Sequence, residues 1–337
     1  MGISFGKYIL LVVCLFFIAA GMFVFLQIDA PKSTAATFVE YTLQKGMTNT
    51  QIASDLEHKG VIKSSFFFKA YVFISGKHAK LQAGNYALSP SMSIVEIVNK
   101  FATGDVIRDK VTFIEGWTLK DIAAYLASKN FGTQSSLIAL LKGSSVTQDF
   151  SFLQEKPKGS TIEGYLFPDT YEIYPNEKAD ALLQVILANF DKKITPQMRA
   201  DIQSQHRTLF QIITMASIIE KEVQSTQDRK MVSGILWKRI GAGIPLQADS
   251  TVNYATGKSD TSASVKDTQI NSPYNTYKFQ GLPAGPISNP GLDSIMAAIY
   301  PKDSPYWYYL SATATGQTIF SKTLAEHQAA ITKYLTR

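Results

Sequence analysis

The chain has 337 residues, 45% hydrophobic and 18% charged, with a formal charge of +6 and a pI near 9.1. That length allows a membrane anchor and two modest domains, and the mild basic excess suits an anionic surface such as phospholipid or cell wall. No run of five like charges and no compact Lys/Arg cluster is present, which argues against a nucleic-acid partner.

Residues Tyr8 to Ile28 carry no charge, and these 21 residues are enough to cross the hydrocarbon core as a helix. Lys7 precedes the run, while Asp29 and Pro31 come after it. This flanking predicts residues 1–7 inside the cell and the bulk of the chain outside. A cleaved signal peptide would have a shorter apolar core and a small-x-small site, and Leu26-Gln27-Ile28-Asp29 is a poor one. A retained anchor over 8–28 is therefore expected. The single cysteine, Cys14, lies inside that run, so the remainder has no disulfide and no thiolate metal site.

Residues 29–37 form a short polar linker. Alternation over 38–43 predicts a strand, Gly46 a turn, and Thr48 with Gln51 a capping box opening a helix that stops at Gly60. The same grammar recurs seventy residues on: Thr42, Gly46, Thr48, Ile52, Ala53 and Leu56 are matched by Thr112, Gly116, Thr118, Ile122, Ala123 and Leu126. Two copies point to a duplicated small α/β unit and are too few for a solenoid. Gly84-Asn85-Tyr86 and Gly164-Tyr165-Leu166 extend the match at a drifted offset. Between the copies, Ser64/Ser65 cap an apolar helix to Ile74, and Ser93 with Glu96 caps another. The main boundary is expected near 156, at Lys156-Pro157-Lys158-Gly159, separating regions 38–155 and 156–337.

Helices are expected near 178–192 and 196–205, then a strongly apolar helix from Leu209 to about Val223, capped by Thr208 and Gln211. Residues 245–290 are rich in Pro, Gly, Asn and Ser, and long ordered loops of this kind line sites. Tyr306–Leu310 and Thr318–Phe320 read as a hairpin around Thr315-Gly316, and Thr323 with Glu326 caps a last helix. The overall class is α+β.

On the apolar helix, Glu220 lies one turn from Ala216 and Ser217 and two from Ile213. A carboxyl group against such a stripe is harder to ionise, and a protonated carboxyl is what a departing glycosidic oxygen needs. Glu222 points to another face, where it can stay solvated. By pattern alone the commoner case is a structural glutamate, salt-bridged to Lys221 or Arg229. His58, His78, His206 and His327 are widely spaced with no HExxH pair, which argues against zinc. There is no GxSxG elbow, P-loop or GxGxxG, so serine-nucleophile and nucleotide chemistry are disfavoured and no cofactor is implied. Aromatic residues (Trp237, Tyr254, Tyr274, Tyr277, Trp307 and Tyr308) cluster with Gln247, Asp249, Asn253 and Asn275, a composition that stacks and hydrogen-bonds sugars; several of these rings also belong to a core.

Five ordered stretches resemble the endolytic murein transglycosylase, or YceG-like, family. They are Glu163–Tyr171 (EGYLFPDTY), Ala216–Glu222 (ASIIEKE), Leu246–Val252 (LQADSTV), Ser272–Tyr277 (SPYNTY) and Gly281–Ile287 with Asn289-Pro290-Gly291. The resemblance spans nearly the whole chain. It implies that Glu220 is the catalytic glutamate and that 38–155 is a LysM-like glycan-binding region. It also implies that 156–337 is the transglycosylase domain, anchored in the cytoplasmic membrane near peptidoglycan synthases. Two positions depart from the family pattern: Thr318 stands where the family has a histidine, and Ser250 where it has a proline after the aspartate. On this reading Glu220 cuts the bond between N-acetylmuramic acid and N-acetylglucosamine, leaving a 1,6-anhydro end. Glu163, Gln247, Asp249, Tyr274, Asn275 and Tyr277 then contact the glycan strand, without a metal. Two other readings stand beside it. A lysozyme-like muramidase needs a second carboxylate, for which Asp249 and Glu163 are candidates. A non-catalytic wall-binding scaffold would rest on the duplicated unit and on Thr318.

Overall fold

The computed structural model describes residues 3–34, 36–143, 149–175, 177–223, 225–258, 263–312 and 316–335. Two compact units divide the chain, Met1–Asp109 and Lys110–Arg337.

In the first unit, α1 (Ile3–Ile28) is apolar over Lys7–Ile28 and none of that stretch is buried in the protein. β1 (Val39–Leu43) pairs antiparallel with β2 (Gly84–Leu88), with Tyr41 opposite Tyr86. Alternation puts Tyr41 and Leu43 inward. α2 (Asn49–His58), α3 (Ser65–Ile74) and α4 (Ile94–Thr103) close over that face. The core holds Ile52, Leu56, Phe68, Val72 and Phe101, and Phe101 packs edge-on to Tyr86 at 4.7 Å. The capping boxes at Thr48/Gln51 and Ser93/Glu96 fix where α2 and α4 begin.

The second unit opens on β3 (Asp109–Thr112), α5 (Leu119–Ser128) and α6 (Gln134–Gly143). β3 pairs with β4 (Thr170–Ile173). The local order therefore repeats that of the first unit: strand, positive-φ glycine, capped helix, second helix, pairing strand. Next come α7 (Ala179–Lys193), α8 (Pro196–Ser204), α9 (Leu209–Glu222), α10 (Thr226–Gly241), α11 (Asp249–Thr256) and α12 (Leu292–Ile299). β5 (Tyr308–Ser311), its antiparallel partner β6 (Thr318–Ser321) and α13 (Leu324–Tyr334) complete the unit.

The division at 109/110 differs from the boundary expected near 156. Ile122, Ala123 and Leu126 of α5 share one core with Tyr165, Leu187, Ile213 and Ile219, so residues 110–155 fold with the C-terminal part of the chain. Nor is 245–290 one continuous loop, since it contains α11 and a short 3₁₀ turn at Asp267–Gln269. The expected hairpin turn includes Thr315, which lies outside the described residues, as does Ala35 of the linker. α9 is buried without interruption from Ile212 to Ile219 and packs against α8, α10, α11 and α12. It is the central helix of its unit rather than an amphipathic surface one.

Candidate active site

The Thr208/Gln211 capping box starts α9, and its long apolar run carries the helix through the core to a last turn where Glu220 and Glu222 emerge. The Glu220 side chain is 5% exposed. The expected apolar niche is not what surrounds it. Arg229 donates from Nη2 to Oε1 at 2.8 Å, and the Gly291 N–H donates to Oε2 at 2.9 Å. Arg229 stands in the first turns of α10, and its Nε also donates to the Val223 carbonyl at the end of α9. One guanidinium thus holds both the helix end and the carboxylate. The Arg229 pair is the one the charge pattern allowed for a structural glutamate, whereas the Gly291 donor lies off α9 and helical periodicity carries no trace of it. Lys221 does not pair with Glu220 but donates to the Gly116 carbonyl at 3.2 Å.

Gly116 and Gly291 bring two loops against Glu220. Gly116, at φ +80°, lies over the Glu220 side chain, where a β-carbon would touch Cγ at 3.7 Å. Asn289, fully buried, ties the loops together. Its backbone bonds Gly116 and Trp117, its Nδ2 donates to Trp117 O and Glu163 Oε1, and its Oδ1 accepts from Gly164 and Leu166. The Glu115 carboxyl lies against Gly291, so that a methyl group there would collide with Oε1. Its pKa is raised, first by partial burial, then by the like charge of Glu220 and less by Asp293, with Arg229 opposing. Glu115 is a residue that sequence reasoning missed. The seventy-residue sequence match held a signal for it, because the residue before the turn glycine is Lys45 in one stretch and Glu115 in the other.

Glu163, expected to meet substrate, is 2% exposed and its oxygens are already engaged. They accept from Leu119 N (3.0 and 3.1 Å), Asn289 Nδ2 (3.0 Å) and Tyr254 OH (3.1 Å). Burial pushes it up to about 8, against these donors. It fastens the start of α5 to the loops beside Glu220. Asn275 is likewise fully buried: its Nδ2 donates to Thr268 O and Ile270 O, and its Oδ1 accepts from Tyr277 N. It shapes a turn instead of offering itself to a ligand. Tyr274 is half-buried with its ring 5.0 Å from that of Tyr254.

Gln247, Asp249 and Tyr277 are brought together around the start of α11. Tyr277 donates to Asp249 Oδ1 at 2.6 Å, and Arg239 donates to Gln247 Oε1 at 2.8 Å. Gln247 is exposed yet holds φ +54°, a strained backbone that a non-glycine residue keeps only when its neighbours enforce it. The neighbouring carboxylate on α9 is Glu222, reached through Ser250, the residue after Asp249. Ser250 donates to Glu222 Oε1 at 2.7 Å and Tyr309 to Oε2 at 3.1 Å. Glu222 is therefore not the freely solvated residue expected; burial, with Asp249 adding like charge, raises its pKa. Thr318 is buried in β6 opposite Ser311, whose hydroxyl donates to the Glu222 carbonyl. Of the two positions that depart from the family pattern, Ser250 bonds the Glu222 carboxylate and Thr318 is the strand partner of a residue that bonds its carbonyl. Among the described residues no group of three or more His, Cys, Asp or Glu side chains is arranged to hold a metal ion.

These features define the class: an α+β protein in which two glycine-bearing loops close over a carboxylate at the end of a buried helix. The model of the YceG-like family matches residues 41–333, and the chain belongs to that family. An endolytic murein transglycosylase of Bacillus subtilis is 33% identical over 324 residues, covering 92% of this chain and 88% of that protein. One from Streptococcus pneumoniae is 29% identical over 92% of this chain, which spans only 60% of its length. The crystal structure of a yceG-like protein from Listeria monocytogenes aligns with a TM-score of 0.61 at 34% identity, over 88% of this chain and 99% of that one.

Proposed function

We propose that the chain is an endolytic murein transglycosylase in which Glu220 moves the proton in both directions. The observation that carries the reading is the Glu220 carboxylate, held by Arg229 and the Gly291 N–H on the motif-bearing loops of a chain so similar to named transglycosylases. In the first half of the reaction Glu220 gives its proton to the glycosidic oxygen as the C1–O bond of N-acetylmuramic acid breaks. Arg229 and Gly291 then hold the carboxylate that forms. In the second half that carboxylate takes the proton of the muramic acid C6 hydroxyl while its oxygen closes onto C1. Atoms balance without water. Glu115, whose pKa is raised by partial burial and by the like charge of Glu220, lies against the same Gly291 and is the second carboxyl of the site. Gln247, Asp249 and Tyr277 bind the glycan strand.

α1 anchors the chain in the cytoplasmic membrane with both units on the outer side, near the synthases that make the strands. The two strand–helix–helix–strand units are LysM-like. In the first, a depression lined by Thr42, Gln44, Gln51, Asp55 and His58 offers polar groups to sugar hydroxyls.

Glu115 also favours a second reading, a muramidase, because it supplies a second carboxyl beside Glu220. Purified glycan strands digested by the full-length chain separate the two by product mass. Internal cleavage giving ends one water lighter than hydrolysed ends supports transglycosylation, and unmodified reducing ends refute it.

A further inference from the structure

α3 is apolar almost all round. At 100° per residue, Phe68 and Val72 point into the first core. The opposite arc carries Phe73, Phe66, Ala70, Ile74 and Phe67 without one polar side chain. Phe66, Phe73 and Ile74 are 67%, 77% and 79% exposed. A helix with a second apolar face of this kind needs a covering.

One edge of that face meets α1. The Phe67 ring meets Phe23 at 6.0 Å, and Ile28 packs on the first core. Phe23 lies five residues before the end of the apolar stretch Lys7–Ile28, roughly 7 Å inside it at 1.5 Å per residue. If α1 spans the bilayer, α3 sits at the depth of an interfacial helix, whose apolar face enters about 5–10 Å below the headgroup boundary. The surrounding charge agrees. Between positions 58 and 95 the chain has five lysines (Lys59, Lys63, Lys69, Lys77 and Lys80) and no acidic residue. Spaced lysines beside an apolar face complement an anionic lipid surface.

We infer that α3 lies in the outer leaflet of the membrane beside the anchor, with Phe66, Phe73 and Ile74 among the acyl chains. The first unit is then held at a fixed height and orientation on the bilayer, not tethered at the end of a free linker. This rests on α1 being a membrane span and is independent of the reaction catalysed.

The test uses the full chain with Cys14→Ser, reconstituted in vesicles of phosphatidylcholine and phosphatidylglycerol. Phe73→Cys, Leu26→Cys and Ser54→Cys each carry a bimane fluorophore, and the quencher is lipid bearing a nitroxide near the top of its acyl chain. The inference expects loss of fluorescence at position 73 comparable to that at 26, with little loss at 54. Quenching at 26 without quenching at 73 overturns the inference and leaves the anchor standing. No quenching at 26 overturns the anchor and the inference together. Phe73 is exposed, so its replacement leaves the core intact, and circular dichroism of each labelled chain confirms its fold.

Discussion

Glu220 meets a cation on one oxygen and a backbone donor on the other, and that pairing governs what its replacement does. Glu220→Gln removes the proton carrier, and strand cleavage falls by about 10²–10⁴-fold. Arg229→Ala leaves a carboxylate enclosed without its partner; the two side chains are 8% and 5% exposed. Loss of one member of such a pair costs about 3–5 kcal/mol, read as a lower urea midpoint. Glu115→Gln removes the second carboxyl. Burial and the like charge of Glu220 raise the Glu115 pKa above the ordinary carboxylate range, so the pH–rate profile of the variant loses that inflection while glycan binding is unchanged. Glu163 behaves differently, because its role is in folding. Its folded pKa, near 8, is raised above the unfolded value, so the folded chain binds more protons and stability declines as pH rises from about 4.5 to about 8. Urea titrations of Glu163→Gln therefore show a flatter dependence over that window.

The elements that a local signal defines were legible in the sequence. Thr48/Gln51, Ser93/Glu96 and Thr208/Gln211 each form the capping box their spacing announces, and the long apolar run became α9. Removing the cap in Thr208→Ala lowers stability by about 1 kcal/mol, visible as a lower melting temperature. Partner choice was not legible. β1 finds β2 and β3 finds β4 across intervening helices, and nothing within a four- or five-residue strand names its neighbour. The site shows the same limit. Periodicity placed Glu220 at the end of an apolar helix and charge left Arg229 among its possible partners, but Gly291 comes from the approach to α12 and Glu115 from the approach to α5. Asn275 and Glu163 were recognised as members of motifs, yet a motif does not distinguish a residue that meets ligand from one that holds a loop. Gly291→Ala tests the loop directly. The added methyl collides with Glu115 and displaces it from Glu220, so activity falls while circular dichroism stays that of the parent.

At the scale of the whole molecule, a strand–helix–helix–strand order appears once in each compact unit, and in the second unit its helices share the core that carries α9. The division therefore lies at 109/110, and the turn at Gly116 forms one wall of the site. The central claim is that one carboxyl serves both halves of the reaction, with the sugar's own C6 hydroxyl in place of water. Digestion of purified glycan strands in ¹⁸O-enriched water tests this most directly. The account predicts new chain ends free of ¹⁸O, formed by the parent chain and not by Glu220→Gln. New ends carrying ¹⁸O, or equal cleavage by the variant, would contradict it.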